Sequence, residues 1–179
     1  MTKLFMPFKK LGKVMGILLV AYLLVLFFLP KTSFWYEAEA ELLKRKVIVH
    51  NETLEEGLRG LKISQAELYL GPIQAARIAS IEINSWLFYT TVAIKNLFVG
   101  SELPLLKGLH VKKATINYLL FSDIKLEAQG NFGSLEATID LDKKSLELDL
   151  VPTAWLKRKS MIMSRLKKTP KGYRFAWHY

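Results

Sequence analysis

The sequence predicts a mainly β protein hung from one membrane helix. A single N-terminal transmembrane helix is followed by an antiparallel β-meander domain, with a short helix before it and a basic helix near the C-terminus. Three observations predict this. Residues 14–29, VMGILLVAYLLVLFFL, are sixteen residues without a charge. From Gly57 onward, segments rich in Ile, Leu, Val and Thr are punctuated by Gly57, Gly60, Gly71-Pro72, Gly100, Gly108, Gly130 and Gly133, the spacing of an all-β meander. The last three segments alternate apolar and polar residues in one mutually consistent register.

Twelve of residues 14–29 are Val, Ile, Leu or Phe, and together they favour insertion by about 5 kcal/mol with no charge opposing. Sixteen residues at ~1.5 Å rise span about 24 Å against a core of ~30 Å, so the helix is expected to start near Leu11, with Lys13 snorkelling to the interface. Pro30 and Lys31 stop it. A competing reading is a cleaved leader ending at the Ala38-Glu39-Ala40 triplet. The eight residues between Leu29 and Ala38 are long for that, and Phe34, Trp35 and Tyr36 suit an interfacial belt instead. Lys3, Lys9, Lys10 and Lys13 precede the span with no acid. The positive flank keeps the N-terminus inside, giving a cytoplasmic tail over 1–13, a span over 14–30 and an exported β-rich domain over 31–179.

The net charge of +10 is unevenly placed: +4 lies in residues 1–30 and +8 in residues 152–179, which leaves −2 for the middle. A slightly acidic main body outside the cytoplasm argues against nucleic acid as a partner. With no cysteine, an exported fold is held by packing alone.

A helix is expected over 33–46, capped by Ser33, with Glu37, Glu39 and Glu41 early and Lys44, Arg45 and Lys46 late. Val47, Ile48 and Val49 then read as a strand. The meander strands are expected at 61–70, 73–84, 88–97, 111–120, 124–132, 135–141 and 146–150. In 124–132 the apolar face is Ile124, Leu126, Ala128 and Phe132. A two-residue Gly133-Ser134 loop would set Phe132 opposite Leu135, and a loop over 142–145 would set Leu141 opposite Leu146. The apolar set in 61–70 switches from Leu61 and Ile63 to Ala66 and Leu68, which implies a bulge or a shared face. Arg77 interrupts the apolar series of the next strand.

After Pro152, Thr153 caps an expected basic amphipathic helix over 153–168, whose Trp155, Leu156, Ile162, Met163 and Leu166 gather on one arc. YRFAWHY then reads as a last strand with Tyr173, Phe175, Trp177 and Tyr179 on one face.

No constellation for catalysis, cofactor or metal binding assembles: there is no cysteine, no G-x-S-x-G, no G-x-x-x-x-G-K and no His pair at metal spacing. His50, His110 and His178 are scattered, and Glu127, Glu136, Asp140, Asp142, Glu147 and Asp149 read as a solvated face. The candidate sites are surfaces. Leu126, Phe132, Leu135, Ile139 and Leu148 form an apolar groove or partner face, which the two helices would cover only in part, leaving a residual groove or an open sheet edge. Lys157, Arg158, Lys159, Arg165, Lys167 and Lys168 are candidate contacts for lipid head groups or an acidic partner.

The order of a short tail, a span ending in Leu29-Pro30, a helix, GLRGLKISQAELYLGPI, then GNFGSLEATIDLDKKSLELDLVP, a Lys-rich helix and GYRFAWHY resembles the type II secretion system protein N family and, more distantly, the AsmA-like β-sheet proteins. The resemblance implies a bacterial inner-membrane protein whose residues 31–179 form a curved periplasmic sheet, a non-enzymatic scaffold or assembly component of an envelope-spanning machine, whether secretion system, pilus or polar flagellar motor. Its partners would be other envelope proteins and copies of itself. AsmA-like relatives imply instead a lipid-binding or lipid-transfer module.

Overall fold

A computed structural model describes residues 6–28, 31–86, 88–104 and 106–178. Helix α1 (Met6–Phe28) and helix α2 (Lys31–Lys44) precede the sheet. Its strands are β1 (Val47–His50), β2 (Thr53–Glu56), β3 (Gly60–Leu70), β4 (Ile73–Trp86), β5 (Tyr89–Val99), β6 (His110–Leu119), β7 (Ile124–Gly130), β8 (Gly133–Asp140) and β9 (Ser145–Pro152). Two helical turns, α3 (Ala154–Lys157) and α4 (Ser160–Met163), lead to β10 (Lys167–Thr169) and β11 (Gly172–His178). The described residues form one eleven-stranded antiparallel sheet in the order β1-β3-β4-β5-β6-β7-β8-β9-β11-β10, with β2 also on β3.

The meander is as the sequence implies, with an additional short strand, β2, and four further differences. Helix α1 is 23 residues and starts at Met6, not near Leu11. Among the described residues no helix is long and apolar enough to cross a membrane. The fold therefore gives no support to the transmembrane helix expected over 14–30, whose residues 29 and 30 lie outside the described ones. Helix α2 begins at Lys31, so Ser33 sits inside its first turn and is not its cap. Third, the basic helix expected over 153–168 is two four-residue turns parted at Lys159, whose ψ of 74° is not helical. The Pro170-Lys171 turn folds Lys167–Thr169 back onto β11 as a strand. The five apolar residues of the expected arc still reach one cluster, because both turns lie against it.

The last difference is in two hairpin registers. Gly130 pairs with Gly133 across an Asn131-Phe132 turn, and Leu135 faces Ala128, not Phe132. Leu146 faces Ile139 where Leu141 was expected. Both slips move the pairing by an even number of residues, so every side chain keeps its face.

That conservation of faces yields straight apolar rows across the sheet. Ile63, Ile81, Ile94, Ala114, Ala128, Leu135, Leu150 and Tyr173 are successive cross-strand partners from β3 to β11. Leu61, Ile83, Val92, Ile116, Leu126, Ala137, Leu148 and Phe175 form a second row beside it. The core lies under two covers on this face. Trp35 and Leu42 of α2 pack on Val49, Leu61, Ile63, Ala66 and Ile78, and Leu156 of α3 packs on Ala128, Phe132 and Leu150.

A crease crosses four strands. In β3, β4, β5 and β6 the apolar series steps by three instead of two, at Ile63 to Ala66, Ile78 to Ile81, Ile94 to Leu97 and Val111 to Ala114. Ser64 pairs with Ser80 and Ala66 with Ile78, with no pair between them, and the same gap recurs between β4 and β5 and between β5 and β6. Gln65 (φ 60°) and Asn96 (φ 51°) take left-handed backbone there. Four neighbouring strands carry the same irregularity in line, so pairing resumes in register across it until β6 meets β7, where the register shifts between Val111 and Lys113; β3 and β4 shift separately between Leu68 and Tyr69. The switch visible in 61–70 is one member of this line. Each irregularity bends its strand and adds twist. Asn96→Val should cost about 1 to 3 kcal/mol, because a β-branched residue is strained at positive φ, whereas Asn96→Gly should be neutral or mildly stabilising. Chemical denaturation of the two variants checks this; equal midpoints would contradict the left-handed assignment.

Candidate functional site

The five predicted apolar-face residues share one side of the sheet but not one environment. Phe132 is buried with Ala128, Leu150 and Leu156, and Leu126, Leu135 and Leu148 pack against that cluster. Ile139 pairs with Ile124 and Leu146. With Val92 and Ile116 it belongs to a half-buried middle strip that neither helical cover reaches among the described residues.

The six basic candidates do not share a helix face. Lys157 ends α3, Arg158 and Lys159 fill the break, Arg165 follows α4, and Lys167 and Lys168 are in β10 opposite Arg174 and Tyr173. Five of them are exposed; Lys159 is half-buried, its Nζ 5.4 Å from the centre of the Trp155 ring. Thr153 Oγ1 donates to the Asn131 carbonyl, which starts this segment at the end of the sheet formed by the Gly130–Gly133 turn.

On the opposite face, Glu127, Glu136 and Asp149 stand side by side across β7, β8 and β9, and Arg174 closes the row. Arg174 donates two hydrogen bonds of 2.8 Å to the Asp149 carboxylate. These bonds hold the Asp149 carboxyl below the usual carboxylate range, so the pair's contribution is present at neutral pH and fades as pH falls through that lowered value. Glu136, Asp149 and Arg174 line a cleft of about 740 Å³ together with Thr169, Lys171 and Tyr173. Arg77, unexplained in the sequence, reaches Glu67 at 3.1 Å. Glu67 also accepts hydrogen bonds from the Tyr69 hydroxyl and Asn51, and its carboxyl is lowered, first by the Tyr69 bond.

The histidines stay apart. His50 meets the Tyr69 ring edge-on at 5.9 Å, and His110 stacks on Phe98 at 4.1 Å. Among the described residues no group of three His, Cys, Asp or Glu is placed to hold a metal ion.

Sequence reasoning missed one surface. At one rim of the sheet, where β4 turns into β5 and β6 into β7, Trp86, Phe88, Tyr89, Leu119, Leu120 and Phe121 are exposed. Tyr89 pairs with Leu119, and the Leu120 N–H donates to the Phe88 carbonyl at 2.7 Å, which joins the two turns into one patch. The signal was available: turns favour Gly, Pro, Asn, Asp and Ser, and here apolar residues occupy those positions. The helix α2 starts at this same rim. The Lys31 N–H donates to the Glu56 carboxylate at the end of β2, and the Arg59 carbonyl just beyond accepts from the Ser85 N–H at 3.0 Å.

No family model, curated protein or solved structure matches the chain.

Proposed function

We propose that the protein is a non-enzymatic scaffold or assembly component of an envelope-spanning machine, anchored in the bacterial inner membrane by its N-terminal helix with the sheet in the periplasm. The resemblance to type II secretion system protein N, and by extension to pilus and flagellar-motor accessories, points the same way. Support for the anchor comes from α1 itself. Val14, Met15, Ile17, Leu18, Leu19 and Val20 point around the whole helix and are all more than half exposed. A helical stretch exposed and apolar all round, as residues 14–20 are, needs a nonaqueous surrounding or a partner.

The observation that carries the scaffold reading is the C-terminal end of the sheet. The outer strand β10 pairs only with Gly172, Tyr173 and Arg174 of β11, and no described strand pairs the outer side of Phe175 or Ala176. Such an edge is a template on which another chain can add a strand. Ala176 is exposed, so Ala176→Lys should leave the melting temperature unchanged and deplete the complex recovered by pull-down of the full chain from solubilised membranes. A photo-crosslinker at 176 should yield a discrete protein adduct.

One observation favours the second reading, an AsmA-like lipid module: the middle strip of Val92, Ile116, Ile124 and Ile139 has the chemistry to lie along an acyl chain. Native mass spectrometry separates the two. One phospholipid retained per chain, with assembly indifferent to Ala176→Lys, would replace the scaffold reading by the lipid one.

A further inference from the structure

The aromatic rim lies where the chain would leave the bilayer, and its chemistry suits that place. We propose that the two hairpin tips carrying Trp86, Phe88, Tyr89, Leu119, Leu120 and Phe121 rest in the head-group and upper acyl region of the membrane that holds α1. The inference depends on the anchor reading above and adds the orientation of the sheet to it.

Three observations converge. The first is distance along the chain: Phe28 ends α1 and Lys31 begins α2, and three residue steps reach at most about 11 Å. The Lys31 N–H is fixed to Glu56, and the Gly57–Gly60 loop that follows is hydrogen-bonded to Ser85, beside Trp86. The membrane end of the anchor and the aromatic tips are thus at the same rim.

The second is the cost of the patch inside the fold. Phe121 is 95 % exposed and holds φ at +64°. An aromatic ring in left-handed backbone is strained, and among the described residues nothing packs on it in return. Phe88, 60 % exposed, lies in the neighbouring turn. An apolar surrounding for these rings removes the expense of leaving them in water.

The third is chemical type. Trp and Tyr favour the membrane interface, with their polar atoms toward the head groups. The Tyr89 hydroxyl donates to Asn117 at 2.7 Å, and the Arg59 guanidinium lies 4.4 Å from the centre of the Trp86 ring, a cation placed for lipid phosphate beside an interfacial ring. Turns at the far rim carry Gly71, Pro72, Ser101, Glu102, Leu106 and Lys107, and no described aromatic residue is exposed in them. The basic segment from Lys157 also starts at that far end, which directs it away from the bilayer surface.

The absence of cysteine from the chain allows a clean test. Ser122→Cys at the near rim and Lys107→Cys at the far rim would each carry an environment-sensitive fluorophore. The full chain is reconstituted into phosphatidylethanolamine–phosphatidylglycerol vesicles, with or without a lipid bearing a quencher high on its acyl chain. The label at 122 should emit to the blue and be quenched by the lipid several-fold more than the label at 107, with aqueous iodide giving the reverse. Phe121→Asp in the Ser122→Cys chain should abolish the difference. A chain that resists carbonate extraction but leaves label 122 as open to iodide as label 107 overturns the rim proposal and spares the anchor. A blue shift confined to native membranes and absent from pure lipid also overturns it, in favour of a protein contact. Release of the chain by carbonate overturns both readings.

Discussion

Gly133→Val should lower the stability of the sheet by about 3 kcal/mol or more, which for a domain of this size is a fall in Tm of roughly 6 to 12 °C. Gly133 holds φ at +124°, a region that residues with a Cβ rarely enter. Space is shorter still: a Cβ built there would lie 1.9 Å from the Val151 carbonyl oxygen and 3.1 Å from the Pro152 Cα. Those atoms belong to the paired backbone of β9, so they cannot swing aside as the end of a flexible side chain would. Even Gly133→Ala must move the strand, and about 2 kcal/mol is expected for it. Gly71, with φ +61° and nothing within 4 Å of the place a Cβ would take, is the control, where alanine meets only the backbone penalty of about 1 to 2 kcal/mol. Thermal unfolding of the detergent-solubilised chain, followed by circular dichroism, compares the three. A Gly133→Ala protein that melts with the wild type would place Gly133 in an open loop, as its sequence neighbours suggest, and not at the head of β8.

The hairpin containing Gly133 shows how far the sequence could be read. Alternation of Leu126, Ala128, Leu135, Ala137 and Ile139 fixes which face each residue takes, because the period of two survives any even slip. It cannot choose between Phe132 facing Leu135 and Gly130 facing Gly133, since both keep apolar opposite apolar. The choice is made by what the turn residues do elsewhere. Asn131 donates to the Gly108 carbonyl at 2.6 Å and accepts from the His110 N–H at 3.0 Å, while Phe132 fills the cluster under α3. These are long-range contacts that no local pattern records. The expected helix over 153–168 failed for a related reason. The arc of Trp155, Leu156, Ile162, Met163 and Leu166 reports only that these side chains meet one core, and two short turns meet it as well as one helix. Strands β2 and β10, TLEE and KKT, are short, polar and at the sheet's ends, so they carry no alternation to detect. The candidate surfaces divide likewise: the apolar face was legible from its period, whereas the aromatic rim came from apolar residues in turns, which a search for chemistry passes over. The crease left a trace in each of four strands, an apolar step of three, yet its meaning needs the strands laid side by side.

Ile63→Ala should be the most damaging single truncation of the apolar face, at about 2 to 5 kcal/mol. Ile63 has no exposed surface, whereas Leu61 and Ala66 beside it keep a few per cent or less. It sits where α2 covers the sheet, among Trp35, Val49 and Ile78, and pairs with Leu54 on one side and Ile81 on the other. The crease at Gln65 is what returns Ala66 to the same face after Ile63, closing the floor under Trp35. Neighbours held by paired strands on both sides can relax little into the space that alanine leaves, which puts the cost toward the upper end of the range. Ile139→Ala is the informative comparison. The same chemical change is made in the same sheet, but in the middle strip that neither cover reaches, so about 1 kcal/mol is expected from its smaller burial. Denaturant titrations of both variants in detergent give the two numbers. If Ile139→Ala costs as much as Ile63→Ala, the middle of the face is covered as completely as its end, and a lipid or a second chain held there would supply the cover. If that excess vanishes on delipidation the occupant is lipid, and if it depends on protein concentration the occupant is another copy.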